Sequence, residues 1–143
     1  MRIVGFALLA LTSAVGSARA EQSLEAFKVI VNPGVAGGMV NRGVLAEIYL
    51  GKAQRWGDGT RIVPVDLSAT SAVREAFSTT VLGMPVDAVK VHWLRTIPSG
   101  KLPPRIKPSD QDVIAAVAAE PGGVGYVSSD AIVPETVHVV TVQ

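Results

Sequence analysis

The spacing of apolar residues divides the chain into short strand-like and helix-like segments. Residues 26–34 (AFKVIVNPG) form an apolar, β-branched run that ends in an Asn-Pro-Gly turn, which predicts a buried strand. Residues 62–65 predict a second strand, and Pro64 within it favours a sheet edge or a very short strand. The runs VGYVSS (124–129) and VHVVTV (137–142) predict two more strands.

Three further segments place apolar residues at helical spacing. Segment 41–52 begins at Asn41, a favoured N-cap, and ends at a glycine, which commonly follows a helix. Segment 109–120 begins with Ser109 and Asp112, which are spaced as a capping box. The faces expected to be buried consist of Leu45, Ile48 and Tyr49 in the first of these segments, and of Val86, Val89, Trp93 and Ile97 in the segment 84–97.

The stretch DLSATSAVREAF (66–77) leads into a fourth predicted helix, which covers residues 72–82 and is closed by Gly83. Its buried stripe is expected to consist of Val73, Ala76, Phe77, Thr80 and Val81. Residues 34–40 and the proline-rich residues 98–108 are expected to be loops. The resulting order of strands and helices predicts an α/β domain in which helices flank a small mixed sheet.

The first twenty residues have the features of a secretory signal peptide. Arg2 supplies a positive charge, residues 3–11 an apolar core, and the tripeptide ARA at 18–20 a cleavage motif. The apolar run is too short to cross a bilayer, which takes about 20 apolar residues. We therefore expect a signal peptide at residues 1–20 and a single α/β domain at 21–143, in the periplasm or outside the cell and without a membrane span.

Charge and cysteine content exclude several classes of protein. The chain carries 13 Lys and Arg and 12 Asp and Glu, and two of the arginines lie in the leader, which leaves 11 basic against 12 acidic residues. Because the charges are also scattered, no nucleic-acid partner is expected. The chain has 0 cysteines, which excludes disulfides, thiolate metal sites and a cysteine nucleophile.

The side chains that carry catalysis or bind metals in other proteins are dispersed here. His92 lies in a predicted helix and His138 in the last predicted strand, and neither has acidic or histidine neighbours at ligand spacing. Residues 37–38 are a weak phosphate-loop candidate, because this glycine pair does not open directly into a helix. No enzyme, cofactor or metal site is therefore expected.

The hydroxyl residues before the 72–82 helix have two possible roles. Ser71 can act as an N-cap, which contributes about 1 kcal/mol and needs no ligand. Alternatively, the unpaired N–H groups and positive dipole end of the helix can hold an anion. In that case Ser68, Thr70 and Ser71 would supply hydroxyls, and Arg74, on the flank of the helix, would supply charge.

Taken in order, several of these segments resemble the second lobe of the substrate-binding proteins of phosphate ABC transporters, which have the periplasmic-binding-protein-like type 2 fold. The segments are FKVIVNP, LAEIYLGKAQRWGDG, REAF, VHWL and PGGVGYV, and the resemblance covers residues 27–142. It implies that the domain is a single lobe of this fold.

In full-length members of that family, phosphate lies in a cleft between two lobes. The second lobe supplies an arginine and a Ser-Gly-Thr turn at a helix N-terminus. The serine of this turn falls on Ser71, whereas the glycine and threonine fall on Ala72 and Val73, and the arginine falls on Leu67. The resemblance therefore implies Ser71 as the main anion contact, with Arg74 as a candidate replacement for the lost charge.

The resemblance implies an exported, non-enzymatic module that binds phosphate or a similar oxyanion and works with a membrane transporter or sensor component. A chain of this length is too short for two lobes that close around an ion, so weak binding is expected, or a site completed by a partner or a second copy. The substitutions at Leu67, Ala72 and Val73 favour the alternative, an interaction or sensory-partner protein of the cell envelope that keeps the fold without a ligand.

Overall fold

A computed structural model describes residues 26–143, so the predicted signal peptide lies outside the described residues. The strands are β1 (Phe27–Val31), β2 (Met39–Val40), β3 (Val63–Leu67), β4 (Arg105–Lys107), β5 (Gly123–Ser128) and β6 (His138–Val142). The α-helices are α1 (Arg42–Tyr49), α2 (Ala72–Phe77), α3 (Val86–Thr96) and α4 (Asp110–Ala119), with a π turn at Ser78–Leu82 and a 3₁₀ turn at Ile97–Ser99.

The strands form one mixed sheet in the order β2-β6-β1-β5-β3-β4. β1 lies antiparallel to both β5 and β6, whereas β3 is parallel to β4 and to β5. The carboxyl ends of β3, β4 and β5 therefore lie side by side at one end of the sheet, here called the carboxyl edge. Their amino ends lie at the opposite end, here called the amino edge. The predicted α/β class with a mixed sheet flanked by helices is confirmed.

The four predicted strands are present, but β3 differs from its prediction. It runs to Leu67 and lies between β5 and β4, so the strand as a whole is not the edge strand that Pro64 suggested. Val63 N–H donates to Gly122 O at 3.0 Å on the β5 side, so the nitrogen of Pro64 faces the other side, where β4 pairs only from Val65 onward. The missing donor therefore breaks no ladder bond.

Two short strands were expected to be loops. β2 lies within the predicted loop 34–40, and β4 lies within the proline-rich segment 98–108. Both form only by pairing with strands that are distant in sequence, since β2 pairs with β6 and β4 pairs with β3.

The predicted helix starts are confirmed. Asn41 caps α1 by accepting from the N–H of Gly43, and Ser109 caps α4 by accepting from the N–H of Asp112. The helix predicted at residues 72–82 is a regular α-helix, α2, only to Phe77. It continues as the π turn Ser78–Leu82, after which Gly83 adopts a φ of 69°. On α3 the predicted buried face ends early, because Ile97 is 45% exposed.

An aromatic cluster fills the core between the sheet and helices α1 and α2. The rings of Phe77 and Tyr126 stack with centroids 3.9 Å apart, and Tyr49 meets Phe77 edge-on at 4.8 Å. Tyr49 donates its buried hydroxyl to the carbonyl of Val65 at 2.8 Å. Aromatic pairs of this kind add about 0.5–1.5 kcal/mol each beyond the burial of their surface.

The PGGVGYV segment brings two chain segments into unusually close contact at the amino edge of the sheet. A Cβ at Gly122 would lie 1.8 Å from the carbonyl oxygen of Arg61, so only glycine fits there. The carbonyl of Gly122 also accepts from Trp56 Nε1 at 3.0 Å. Nearby, the buried ring of Trp93 packs on Gly51, where no side chain could fit.

Candidate functional site

The predicted anion-site residues lie at the carboxyl edge of the parallel strands β3, β4 and β5. The loop after β3 is joined to β4, because Ser68 N–H donates to the carbonyl of Lys107 at 3.2 Å. The end of β5 is joined to the start of α4, where Ser128 donates its N–H at 3.2 Å and its hydroxyl to the carboxylate of Asp110. In open α/β sheets, ligands bind at the carboxyl ends of strands, so this is the edge at which a ligand site is expected.

The structure brings Ser68, Thr70 and Ser71, here called the hydroxyl cluster, together at the start of α2. Ser71 is the N-cap, and its Oγ accepts from the N–H of Arg74 at 3.3 Å. The hydroxyl oxygens of Ser68 and Thr70 lie 3.1 Å apart, and Ser71 N–H donates to Ser68 O at 2.9 Å. The capping role of Ser71 is confirmed, whereas the contacts of the cluster with an anion remain a prediction.

Arg74 does not lie on an exposed flank of α2, as the sequence predicted, but is 9% exposed. Its Nη1 donates to the carbonyl of Leu67 at 2.9 Å, and its Nη2 lies 3.3 Å from Asp66 Oδ2. The side chain turns inward because a buried carboxylate at the end of β3 attracts it. Its charge is therefore paired in the interior and is not presented at the surface.

Asp66 and Tyr126 are the site residues that sequence reasoning missed. The carboxylate of Asp66 accepts from the hydroxyl of Tyr126 and, at 2.9 Å, from the backbone N–H of Leu67. Burial raises the pKa of Asp66, and the bonds from Tyr126 and Arg74 offset only part of this effect. A single acidic residue inside the otherwise apolar run IVPVDL was the signal available in the sequence.

Burial also raises the pKa of Tyr126, and the nearby carboxylate of Asp66 raises it further. The tyrosine is therefore neutral and remains the hydrogen-bond donor of the pair. Together, the two side chains and Arg74 form a polar network that holds the start of α2 against the end of β3. The hydroxyl cluster can donate hydrogen bonds, while the Asp66 carboxylate offsets part of the guanidinium charge.

The other residues that the sequence offered as candidates, the two histidines and the glycine pair 37–38, form no site with the residues that the structure describes. His92 Nε2 lies 2.8 Å from the carbonyl of Leu50, and His138 is exposed on β6. Gly37 has a φ of 94° in the turn before β2, so no helix opens at this glycine pair. Within residues 26–143, no three His, Asp or Glu side chains lie close enough together to hold a metal ion.

Comparisons with known proteins identify the fold. No family model and no curated protein sequence matches the chain. Among solved structures, it is similar to an ABC-type phosphate transport receptor from Vibrio cholerae, with a TM-score of 0.63 at 18% identity. It is equally similar to a putative phosphate ABC transporter substrate-binding protein with bound phosphate from Clostridium perfringens (TM-score 0.63, 20% identity) and to PstS from Borrelia burgdorferi (0.63, 15%).

The chain has the fold of a lobe of these phosphate-binding proteins. The matches cover 82% of the chain, but only 46% of the Clostridium protein and 47% of the other two, so the chain spans a little under half their length. The family resemblance predicted from the sequence is confirmed at the level of the fold. All three similar structures are transport receptors or binding proteins.

Proposed function

We propose that the protein is an exported module that binds phosphate or a similar oxyanion and does not act as an enzyme. The observation that carries this proposal is the shared fold, over 82% of the chain, with proteins of phosphate transport, one of them with bound phosphate. The position of the hydroxyl cluster at the carboxyl edge of the sheet supports it further.

In this proposal the hydroxyls of Ser68, Thr70 and Ser71 donate hydrogen bonds to the anion. Arg74 contributes positive potential, while its guanidinium remains bound to Asp66. Because Asp66 offsets part of that charge, and because Thr70 is exposed to competing water, we expect weak affinity. A partner or a second copy of the chain that covers the cluster would strengthen binding.

A membrane transporter or sensor component is the proposed partner, and the periplasm or the exterior of the cell is the proposed location. The leader-like residues 1–20 and the transport role of the similar proteins support both. Within residues 26–143, no helix has the length and apolar character needed to cross a membrane.

One observation favours the alternative, a ligand-free interaction or sensory-partner protein of the envelope. The only charged side chain predicted for the anion site, Arg74, is already bound to Asp66 and to the carbonyl of Leu67. Because Arg74 is already paired within the protein, the site is stable without a ligand. A lobe that had lost its ligand would keep such a pair.

Calorimetric titration of the purified protein with phosphate and with sulfate tests the proposal. We expect saturable binding of at least one anion, weakened about tenfold by Ser71→Ala, since a hydrogen bond to a charged group is worth about 1.5–3 kcal/mol. Ser99→Ala is the matched control, because Ser99 is an exposed serine at a distant turn, where it donates to Thr96 O at 2.6 Å. Its affinity should equal that of the unmodified protein.

Absence of saturable heat with both anions would contradict the proposal, as would an affinity that Ser71→Ala leaves unchanged. Capture of a stoichiometric protein partner from an envelope extract, without bound anion, would then support the alternative.

A further inference from the structure

A hollow of about 390 Å³ opens at the amino edge of the sheet, opposite the hydroxyl cluster. Its walls are the segment after α1, the start of β3, and residues 100–103 before β4, with Glu120 at the end of α4. The volume lies within the range of about 300–1,000 Å³ that is typical of small-molecule sites.

The floor of the hollow is apolar. Half-buried Val63 and Pro64 of β3 supply its open apolar surface, since Ile48 and Ile62, which also line the hollow, are only 2% and 7% exposed. Leu102 stands at the rim and is 75% exposed, although it is a large apolar side chain. An apolar body seated in the hollow would therefore cover surface that now faces water.

The rim of the hollow is cationic. Arg61, Lys101 and Arg105 all line it, against one acidic side chain, Glu120, which binds Arg105 at 3.1 Å. Within residues 26–143, Arg61 and Lys101 take part in no ion pair. Since acidic and basic residues nearly balance over the chain, this excess of positive charge is local.

From this geometry, we propose that the hollow at the amino edge binds a small carboxylic acid with an apolar body. The guanidinium of Arg61 can pair with a carboxylate through two parallel hydrogen bonds, and Lys101 adds a second positive charge. The apolar body then lies against Val63, Pro64 and Leu102. Inorganic phosphate, which has no apolar part, would leave that floor uncovered.

The test is to follow backbone amide resonances of the purified, isotope-labelled protein by NMR during titration with benzoate. We expect shifts at residues 61–63 and 100–102. Benzyl alcohol, which has the same ring without the charge, and inorganic phosphate, which has charge without the ring, should leave these resonances in place at the same concentration.

Variants at the rim complete the test. Lys101→Gln, and the double variant Arg61→Gln with Lys101→Gln, should raise the Kd for benzoate, the double variant about tenfold or more. Lys90→Gln is the matched control on the exposed surface of α3 and should leave the Kd unchanged. All of these side chains lie at the surface, and the same spectra show directly that each variant is folded.

Three results would overturn the proposal. The first is equal shifts with benzyl alcohol, which would mean that the charge is not recognised. The second is benzoate shifts confined to residues 68–71, which would place the anion at the hydroxyl cluster instead. The third is a Kd that neither rim variant changes.

Discussion

Asp66 places a buried carboxylate at the end of β3, two residues before Ser68 of the hydroxyl cluster. The sequence predicted the cluster and the cap, but it could not predict this network, because Asp66, Arg74 and Tyr126 meet only when β3, α2 and β5 have assembled. Helical spacing assigned Arg74 to a flank of α2, since spacing carries no information about a partner 8 residues earlier in the chain. At the scale of the residue, local hydrogen bonds were predictable and long-range ones were not.

The raised pKa of Asp66 predicts how stability depends on pH. Because the folded state binds this proton more tightly than the unfolded state, the contribution of Asp66 to stability falls as pH rises above its ordinary pKa of 3.8. The fall ends once the folded carboxyl has ionised. Urea unfolding at a series of pH values should therefore show a fall in the unmodified protein that Asp66→Asn removes.

Asp58 offers a control of opposite sign. Its hydrogen bonds with Thr60 lower its pKa, so its contribution is lost as pH decreases rather than as pH rises. Asp58→Asn should leave the fall above pH 3.8 in place. Parallel pH profiles for the unmodified protein and Asp66→Asn would contradict the prediction.

Gly122 belongs to the segment PGGVGYV, which contributes to the family resemblance. The sequence alone did not show why a glycine is needed at this position. Its closeness to the carbonyl of Arg61 leaves no room for a methyl group. Gly122→Ala should therefore separate β3 from β5 at their amino ends and lower the free energy of unfolding by about 1–3 kcal/mol.

Thermal or urea unfolding measures this loss. Gly57→Ala is the control, since a Cβ at Gly57 meets nothing within 4 Å. An equal loss in the two variants would contradict the steric explanation.

At the scale of the element, capping residues predicted helix starts well. The longer strands were predicted from the sequence, whereas the two shortest were not. Asn41 and Ser109 stand directly before α1 and α4, because an N-cap is a local interaction. β2 has 2 residues and β4 has 3, too few for a recognisable alternation. The π turn after Phe77 was equally hidden, since its residues continue the helical composition.

The Ser109 cap of α4 gives the element-scale prediction. Ser109 accepts from the N–H of Asp112 at 3.2 Å and donates its hydroxyl to the carboxylate of the same residue at 2.8 Å. Ser109→Ala should lower the free energy of unfolding by about 1 kcal/mol, because an N–H at the helix start loses its partner. Urea unfolding measures the change.

Ser129→Ala is the control for this cap, because Ser129 is exposed and begins no helix. Its stability should match that of the unmodified protein. A loss below about 0.3 kcal/mol in Ser109→Ala would contradict the prediction.

At the scale of the whole molecule, composition and the order of the elements predicted the α/β class, but they did not predict the order of the strands in the sheet. β1 pairs with β5 and β6, the last two strands of the chain, so the centre of the sheet joins residues about 100 positions apart. Nothing in the local pattern specifies such a pairing, and the family resemblance was used to predict the fold of the lobe but not its strand order. The hollow at the amino edge depends on the same long-range assembly and was not predicted at all.

This arrangement predicts where the protein opens first. β1 and β5 lie inside the sheet and are almost wholly buried, whereas β2 and β4 form its two edges. Amide hydrogen exchange should therefore be slowest in β1 and β5, where it requires global unfolding, and faster in β2 and β4 through local opening. Uniform protection across the six strands would contradict this order.

The two tryptophans of the chain both lie at the amino edge of the sheet, one bonded to the carbonyl of Gly122 and the other packed on Gly51. Gly51 is itself part of the wall of the hollow. When the protein is excited at wavelengths that tryptophan absorbs and tyrosine does not, its ultraviolet emission therefore comes from that edge. A molecule entering the hollow would change the emission, while an anion at the hydroxyl cluster would leave it unchanged, so the two sites can be told apart in one cuvette without any label.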